Sequence, residues 1–356
     1  QIERLRPECL SCLAGRYLEK YPENATEEEK LTYMRRVLRL LLEAPVTDAS
    51  PVIVRRINDI RREMFGLTDE YAEVKQYFNQ VMLGYEENIS QKIADAPDPL
   101  LSALQYAAAG NYIDFGAMKN VEEERLSQLL NEADYITFPQ ATCAALREDL
   151  SAAARLVFLT DNCGEIVMDK LLIQTILRLY PQLEVTVVVK GRPVLNDATM
   201  EDAVQIGLPD LVKVIGNGSQ IAGTWIPDLS EEAATALESA DIILSKGQAN
   251  YETLRLCGKN IYYLFLCKCD MFDREFGIPR LTADLIREKM LTARKTLQSS
   301  KAPADRQRIT SGKLAEVVLS LCRARLFPVP VAPAPADPEV LALSACLCMI
   351  QGMLEN

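Results

Sequence analysis

The sequence predicts an α/β protein: a Rossmann-like three-layer α/β/α domain with a mostly helical N-terminal domain and C-terminal helices. Three observations predict it. Between about residue 135 and residue 280, short apolar runs rich in β-branched residues alternate with segments of helical periodicity, the pattern of parallel strands joined by crossover helices. The residues before this stretch carry helical periodicity. Each candidate strand also ends in a polar cluster, and open α/β sheets bind their ligands at the carboxyl ends of the strands. The expected division is therefore 1–134, helical; 135–280, α/β; and 281–356, a helical extension.

In the first part, Thr26 ahead of Glu27-Glu28-Glu29 reads as an N-cap with an acidic first turn. Apolar residues at helical spacing predict helices over Leu31–Leu42, Val52–Met64 and Tyr71–Tyr85, punctuated by Pro45 and Pro51. Pro97-Asp98-Pro99 opens another over Leu100–Ala109. Gly110-Asn111, residue types suited to a left-handed C-cap, would end it in a turn carrying Asp114. Cys9 and Cys12 form a CxxC. That pair is half of a four-ligand zinc site, with Cys267 and Cys269 as the other half, or simply two small buried residues on one helical turn.

From residue 135 the candidate strands are Arg155–Thr160, Glu184–Lys190, Leu211–Ile215, Ile242–Ser245 and Ile261–Leu266. The helices between and after them are Glu165–Leu179, Thr199–Ile206, Glu231–Ser239 and Tyr251–Leu256. The glycine-rich dinucleotide fingerprint is absent after the first strand, where Asp161-Asn162-Cys163-Gly164 stands instead. Beyond the sheet, helices are expected over Leu281–Leu297, Ser311–Leu321 and Pro338–Leu354, with a stiff proline-rich linker at 327–335.

Composition removes several function classes. The 356 residues include no histidine, which excludes Ser-His, Cys-His and His-metal chemistry and leaves oxygen or thiolate ligands for any metal. The net charge of −11 without a long basic stripe argues against nucleic acid as a partner. No run approaches the roughly 20 apolar residues of a membrane span. Ten cysteines scattered behind a charged N-terminus, with no secretory signal, point to a reducing, cytoplasmic compartment. The sequence fixes no oligomeric state.

The strand-end residues carry the chemistry. Asp161 and Asn162 follow the first strand; Lys190, Gly191, Arg192, Asn196 and Asp197 follow the second. Gly216-Asn217-Gly218, then Ser245 to Asn250, then Lys268 and Asp270 follow the others. Asp161 and Asp197 lie one βαβ unit apart, so adjacent strands can bring both carboxylates to one cation, with Asn162 adding an amide oxygen. Asp161 is equally suited to capping the helix behind it. Lys190, Arg192, Lys246 and Lys268 add positive charge, and the amides of Gly216–Gly218 and Gly247 can cradle an anion. A cation, lysines and amide-lined turns together are what a transferring phosphoryl group needs.

The segments Thr160–Glu165, Lys190–Thr199, Ser245–Glu252, Lys268-Cys269 and Gly110–Phe115 resemble the DUF89 family, the metal-dependent damage-control phosphatases, over roughly residues 5–280. The N-terminal CxxC resembles the prokaryotic stand-alone subgroup. The resemblance implies a divalent cation (Mn, Mg, Co or Ni) on Asp161, Asn162 and Asp197, with Lys246 and Lys268 beside the substrate phosphate. Asp161, Asp197, Lys246 and Lys268 are then the expected catalytic residues. Asn111 and Asp114 would approach from the helical part, joining Glu165, Lys190, Asn196, Asn217, Gly247 and Gln248 in the expected substrate-binding set. Arg192 departs from the family, many of whose members have a small residue there.

The expected activity is hydrolysis of a small phosphomonoester, a sugar phosphate or a damaged metabolite phosphate. Without histidine, proton transfer falls to a carboxylate, a lysine or water. The alternatives are an S-adenosylmethionine-dependent carboxyl methyltransferase and a non-catalytic metal- or metabolite-binding protein.

Overall fold

The computed structural model describes residues 2–66, 71–112, 123–269, 272 and 277–289. The expected site residue Asp114, Asp270, the helices expected over Ser311–Leu321 and Pro338–Leu354 and the linker at 327–335 lie outside the described residues.

The described chain opens with five helices: α1 (Pro7–Tyr17), α2 (Glu27–Glu43), α3 (Ser50–Phe65), α4 (Ala72–Asp95) and α5 (Pro99–Tyr112). Thr26 caps α2 as its sequence predicts. Its hydroxyl accepts the Glu29 N–H at 3.2 Å while Glu29 reaches back to the Thr26 N–H at 2.8 Å, a capping box worth about 1 kcal/mol. Two further helices, α6 (Glu123–Asn131) and α7 (Gln140–Ala152), precede the first strand. The alternation then begins: β1 (Arg155–Leu159), α8 (Glu165–Leu179), β2 (Glu184–Val189), α9 (Met200–Gln205), β3 (Lys213–Gly216), α10 (Glu231–Ser239), β4 (Ile242–Lys246), α11 (Gln248–Leu254), β5 (Ile261–Leu266) and β6 (Ala283–Arg287).

The six strands form one sheet in the order β3-β2-β1-β4-β5-β6, parallel except for the antiparallel β6. This is the doubly wound order, whose crossover direction reverses between β1 and β4 and opens a crevice at their carboxyl ends. Side chains alternate along each strand. Leu156 and Phe158 of β1 face a core built with α4, α5, α7 and α8, whereas Val157 and Leu159 face α10 and α11. With both faces covered, the strands read as continuous apolar runs. Burying a side chain such as Phe158, 0% exposed, contributes about 2–3 kcal/mol.

Helices α1, α2 and α3 enclose a separate cluster around Tyr33, Ile53 and Ile57. A small apolar seam joins the start of α3 to the loop after β3, with Ala49, Val52 and Ile221 packed beside half-buried Trp225. Arg4 lies over the Trp225 ring at 5.7 Å and donates to the carbonyl of Arg255 at 2.8 Å.

Two expectations need correction. Residues 283–287, expected to begin a helix over Leu281–Leu297, form β6 instead, because they pair with β5 from Tyr262↔Arg287 to Leu266↔Ala283 and close the sheet edge. The helix expected to end at Gly110-Asn111 runs on to Tyr112. Gly110 is there for close packing, since a Cβ on it would lie 3.2 Å from Glu165 Cγ of α8.

Candidate active site at the carboxyl edge of the sheet

Asp161 and Asn162 leave the end of β1, and the turn after β2 returns alongside them. The Ala198 N–H donates to the Asp161 carbonyl at 2.8 Å, the Cys163 N–H donates to the Asn196 carbonyl at 2.8 Å, and Asn162 bridges Asp197. These main-chain ties bring the two aspartates together as the βαβ spacing predicts. The second turn is strained on its way there, with Leu195 in the left-handed region at φ +48. Opposite, β4 ends in Lys246-Gly247. A Cβ on Gly247 (φ +79) would lie 2.0 Å from Asp161 Oδ2, so only glycine fits where β4 meets the first turn. Asn250 ties the two strand ends, donating to the carbonyls of Thr160 at 3.0 Å and Lys246 at 2.7 Å.

The carboxylates here are buried and close-set. Burial, together with the charges of Glu165 and Asp197, pushes Asp161 up to about 7 against the pull of Lys190 and Lys268. Asp197 is also raised by burial, opposed by Lys190. Lys190 Nζ stands 3.5 Å from Asp197 Oδ2 without an aligned hydrogen bond, and that buried oxygen has no hydrogen-bond partner. Asn162 Nδ2 donates to Asp161 Oδ2 at 2.8 Å and Glu165 Oε2 at 2.9 Å, which leaves its carbonyl oxygen as the group to offer a cation. Two carboxylates and an amide oxygen suit a hard divalent ion. Among the described residues no group of three or more Cys, Asp or Glu side chains is arranged to hold a metal.

Lys246 has a different setting from the one expected. It is 0% exposed, and its ammonium donates to the Ala107 carbonyl at 2.9 Å, Glu165 Oε1 at 2.5 Å and Asp169 Oδ1 at 2.6 Å. Three N–H groups meet three protein acceptors, so none remains for a phosphate. The two carboxylates outweigh burial and hold the Lys246 proton more firmly than usual. In turn, Glu165 lies below its ordinary range despite complete burial, held there by Lys246 and the amides of Asn111 and Asn162. Burial, with the charge of Glu165, drives Asp169 up to about 8 in spite of Lys246.

Asn111 is likewise committed to the protein. Its Nδ2 donates to Asp161 Oδ2 at 3.0 Å and Glu165 Oε2 at 2.8 Å, and its Oδ1 accepts the Leu266 N–H at 3.0 Å. Asn217 Oδ1 accepts the N–H groups of Gly191 at 2.8 Å and Ser219 at 2.9 Å, shaping the turns after β2 and β3. Gln248 accepts the Lys268 N–H at 2.9 Å and fixes the backbone that carries this lysine. Lys268 itself is half-buried, close enough to Asp161 to lower its pKa, and paired with no carboxylate among the described residues. Arg192 is exposed on the rim.

Sequence reasoning missed Asp169 and the α4 side chains Lys75 and Asn79, all buried behind the site. Lys75 and Asn79 sit one helical turn apart among the apolar residues Phe78 and Met82, the one signal that marks them. The four-thiolate alternative is not found among the described residues: Cys12 is exposed, whereas Cys9, Cys267 and Cys269 pack around one apolar core.

An open, doubly wound sheet with an acidic, amide-braced crevice at its switch point defines a Rossmann-like α/β protein whose first turn presents a carboxylate rather than glycines. The profile of the damage-control phosphatase ARMT1-like domain matches residues 5–282, and the chain belongs to that family, also called DUF89. It is 33% identical to a damage-control phosphatase of Archaeoglobus fulgidus over 77% of this chain and 96% of that one. A second damage-control phosphatase, from Pyrococcus horikoshii, is 31% identical over 80% and 99% of the two chains. The crystal structure of a DUF89 family protein from Pyrococcus horikoshii superposes with a TM-score of 0.68 at 27% identity, covering 80% of this chain and 99% of that chain. These relatives support a phosphatase role in the family.

Proposed function

We propose that this protein is a metal-dependent phosphatase of small phosphomonoesters, sugar phosphates or damaged metabolite phosphates, acting in the cytoplasm. The observation that carries the reading is the pair of buried carboxylates, Asp161 and Asp197, on adjoining turns, with one Asp197 oxygen left without a hydrogen bond. Asp161, Asn162 and Asp197 would hold Mn, Mg, Co or Ni, hard enough ions for an all-oxygen donor set. Bound there, such an ion supplies the Lewis-acid charge that phosphoryl transfer depends on. Lys190 and Lys268 attract and orient the phosphate and offset its developing charge. Lys246 and Asn111 act one layer back, holding Glu165 and Asp161 in place.

The test is an assay of chelator-stripped protein on a phosphomonoester panel with each of the four ions, beside Asp161→Ala and Asp197→Ala. Phosphate release is expected only with added metal, and either substitution lowers it at least about a hundredfold. Metal-independent turnover, or full activity in Asp161→Ala, would overturn the reading.

A further inference from the structure

Behind the two aspartate turns, α4 carries a buried polar clamp that none of the expected site residues includes. Asn79 is 0% exposed. Its Oδ1 accepts the Gly164 N–H at 2.6 Å, and its Nδ2 donates to Asp202 Oδ1 at 2.8 Å and Gln205 Oε1 at 2.9 Å. Gly164 ends the Asp161-Asn162 turn and caps α8 in an unusual conformation, φ +67 and ψ −54. Asp202, in the first turn of α9, braces the end of the other turn. Its Oδ2 accepts both the backbone N–H of Thr199, at 2.7 Å, and its hydroxyl, at 2.8 Å, two residues beyond Asp197. Lys75, also buried, pairs with the same oxygen at 2.7 Å and reaches the Thr199 hydroxyl at 3.3 Å.

We infer that Asn79, with Asp202 and Lys75, is a positioning device that sets the spacing of Asp161 and Asn162 relative to Asp197, and so tunes cation affinity. The inference rests on the metal site proposed above. Asn79 joins the two turns through one rigid amide: its oxygen needs a donor on the first turn and its nitrogen an acceptor bracing the second. An aspartate at 79 keeps the first bond and sets two carboxylates against each other at the second. Groups that orient ligands from behind change metal affinity by about 10–100-fold when removed.

The experiment is a titration of metal-free protein with Mn²⁺, read by electron paramagnetic resonance, with Mn²⁺-dependent turnover measured in parallel. Asn79→Ala should weaken Mn²⁺ binding about tenfold, with turnover at saturating Mn²⁺ largely retained. Asn79→Asp should weaken it further. The double variant Asn79→Asp with Asp202→Asn returns a donor–acceptor pair and the net charge beside Lys75, and should recover much of the affinity. Thr26→Ala, which removes the capping box of α2, provides a chain destabilised elsewhere whose Mn²⁺ binding stays at the parent value. Parent-like affinity in both Asn79 single variants overturns the inference and leaves the metal site standing. So does a double variant as weak as Asn79→Asp, because the clamp predicts rescue. A parent protein that binds neither Mn²⁺ nor, in competition or by calorimetry, Mg²⁺, Co²⁺ or Ni²⁺ overturns the metal site and the inference together.

Discussion

The two edges of the sheet treat carboxylates in opposite ways: Asp149 and Asp241 at the amino edge are half-buried and exposed, whereas Asp161, Asp169 and Asp197 at the carboxyl edge are buried. At the amino edge, Asp149 accepts from Arg287 at 2.5 Å, the Tyr262 hydroxyl at 2.8 Å and the Asn260 amide at 3.0 Å. On the same edge Asp241 takes the N–H groups of Ala154 and Arg155, which hold it below its ordinary pKa. At the carboxyl edge, Asp161, Asp169 and Asp197 are all pushed up, because burial, joined at Asp161 and Asp169 by repulsion from neighbouring carboxylates, exceeds what Lys190, Lys246 and Lys268 return. A carboxylate closed by protein donors is complete as it stands. Asp161 and Asp197, left short of positive charge, are where the proposed cation would bind.

That contrast can be broken at either edge. The largest effect is expected from Asp149→Ala, which strands the Arg287 guanidinium in a buried setting. It should cost about 3–5 kcal/mol in denaturant unfolding while leaving the apparent Mn²⁺ constant of the folded protein alone. A change in that constant would show that the two edges are not separate. Lys268→Met should behave inversely, lowering kcat/KM about 10–100-fold with little change in the midpoint of unfolding, because half-buried Lys268 makes no ion pair with a carboxylate among the described residues and acts on Asp161 only through its charge. Equal loss of stability would make Lys268 structural, as Lys246 is.

The smallest effect sharpens the carboxyl edge itself. A carboxyl whose folded pKa is raised, here to about 8, favours the folded state while protonated and loses that contribution as pH climbs from its unfolded value through the folded one. Asp169→Asn keeps an oxygen for Lys246 and removes the ionisation. Its advantage over the parent should already be present at pH 5 and grow by roughly 1 kcal/mol or more toward pH 8, read from paired urea curves. A variant that is less stable at pH 8 would mean that Asp169 stays ionised against Lys246.

Much of the sheet was legible because its strands are buried on both faces and separated by helices of clear period. Both α8 and α10 fall on the residues the periodicity predicts. The strand β6 was not legible, since Ala-Asp-Leu-Ile-Arg has too few residues to show a period and becomes a strand only by pairing with β5. For the site, the described residues that the sequence singled out gather on one edge, but their division of labour was hidden. A lysine at a strand end looks the same whether its ammonium meets ligand or, like Lys246, ends between Glu165 and Asp169. Polar residues such as Asn79 and Lys75 on a long helix read as solvent-facing until another element packs over them.

The seam at Trp225 has an optical consequence. This is the only tryptophan in the 356 residues, and it sits where the start of α3 meets the loop after β3, under Arg4. Its fluorescence is therefore a local gauge. Loss of the contact between the first three helices and the sheet should shift its emission to the red while the far-ultraviolet circular dichroism of the sheet core persists.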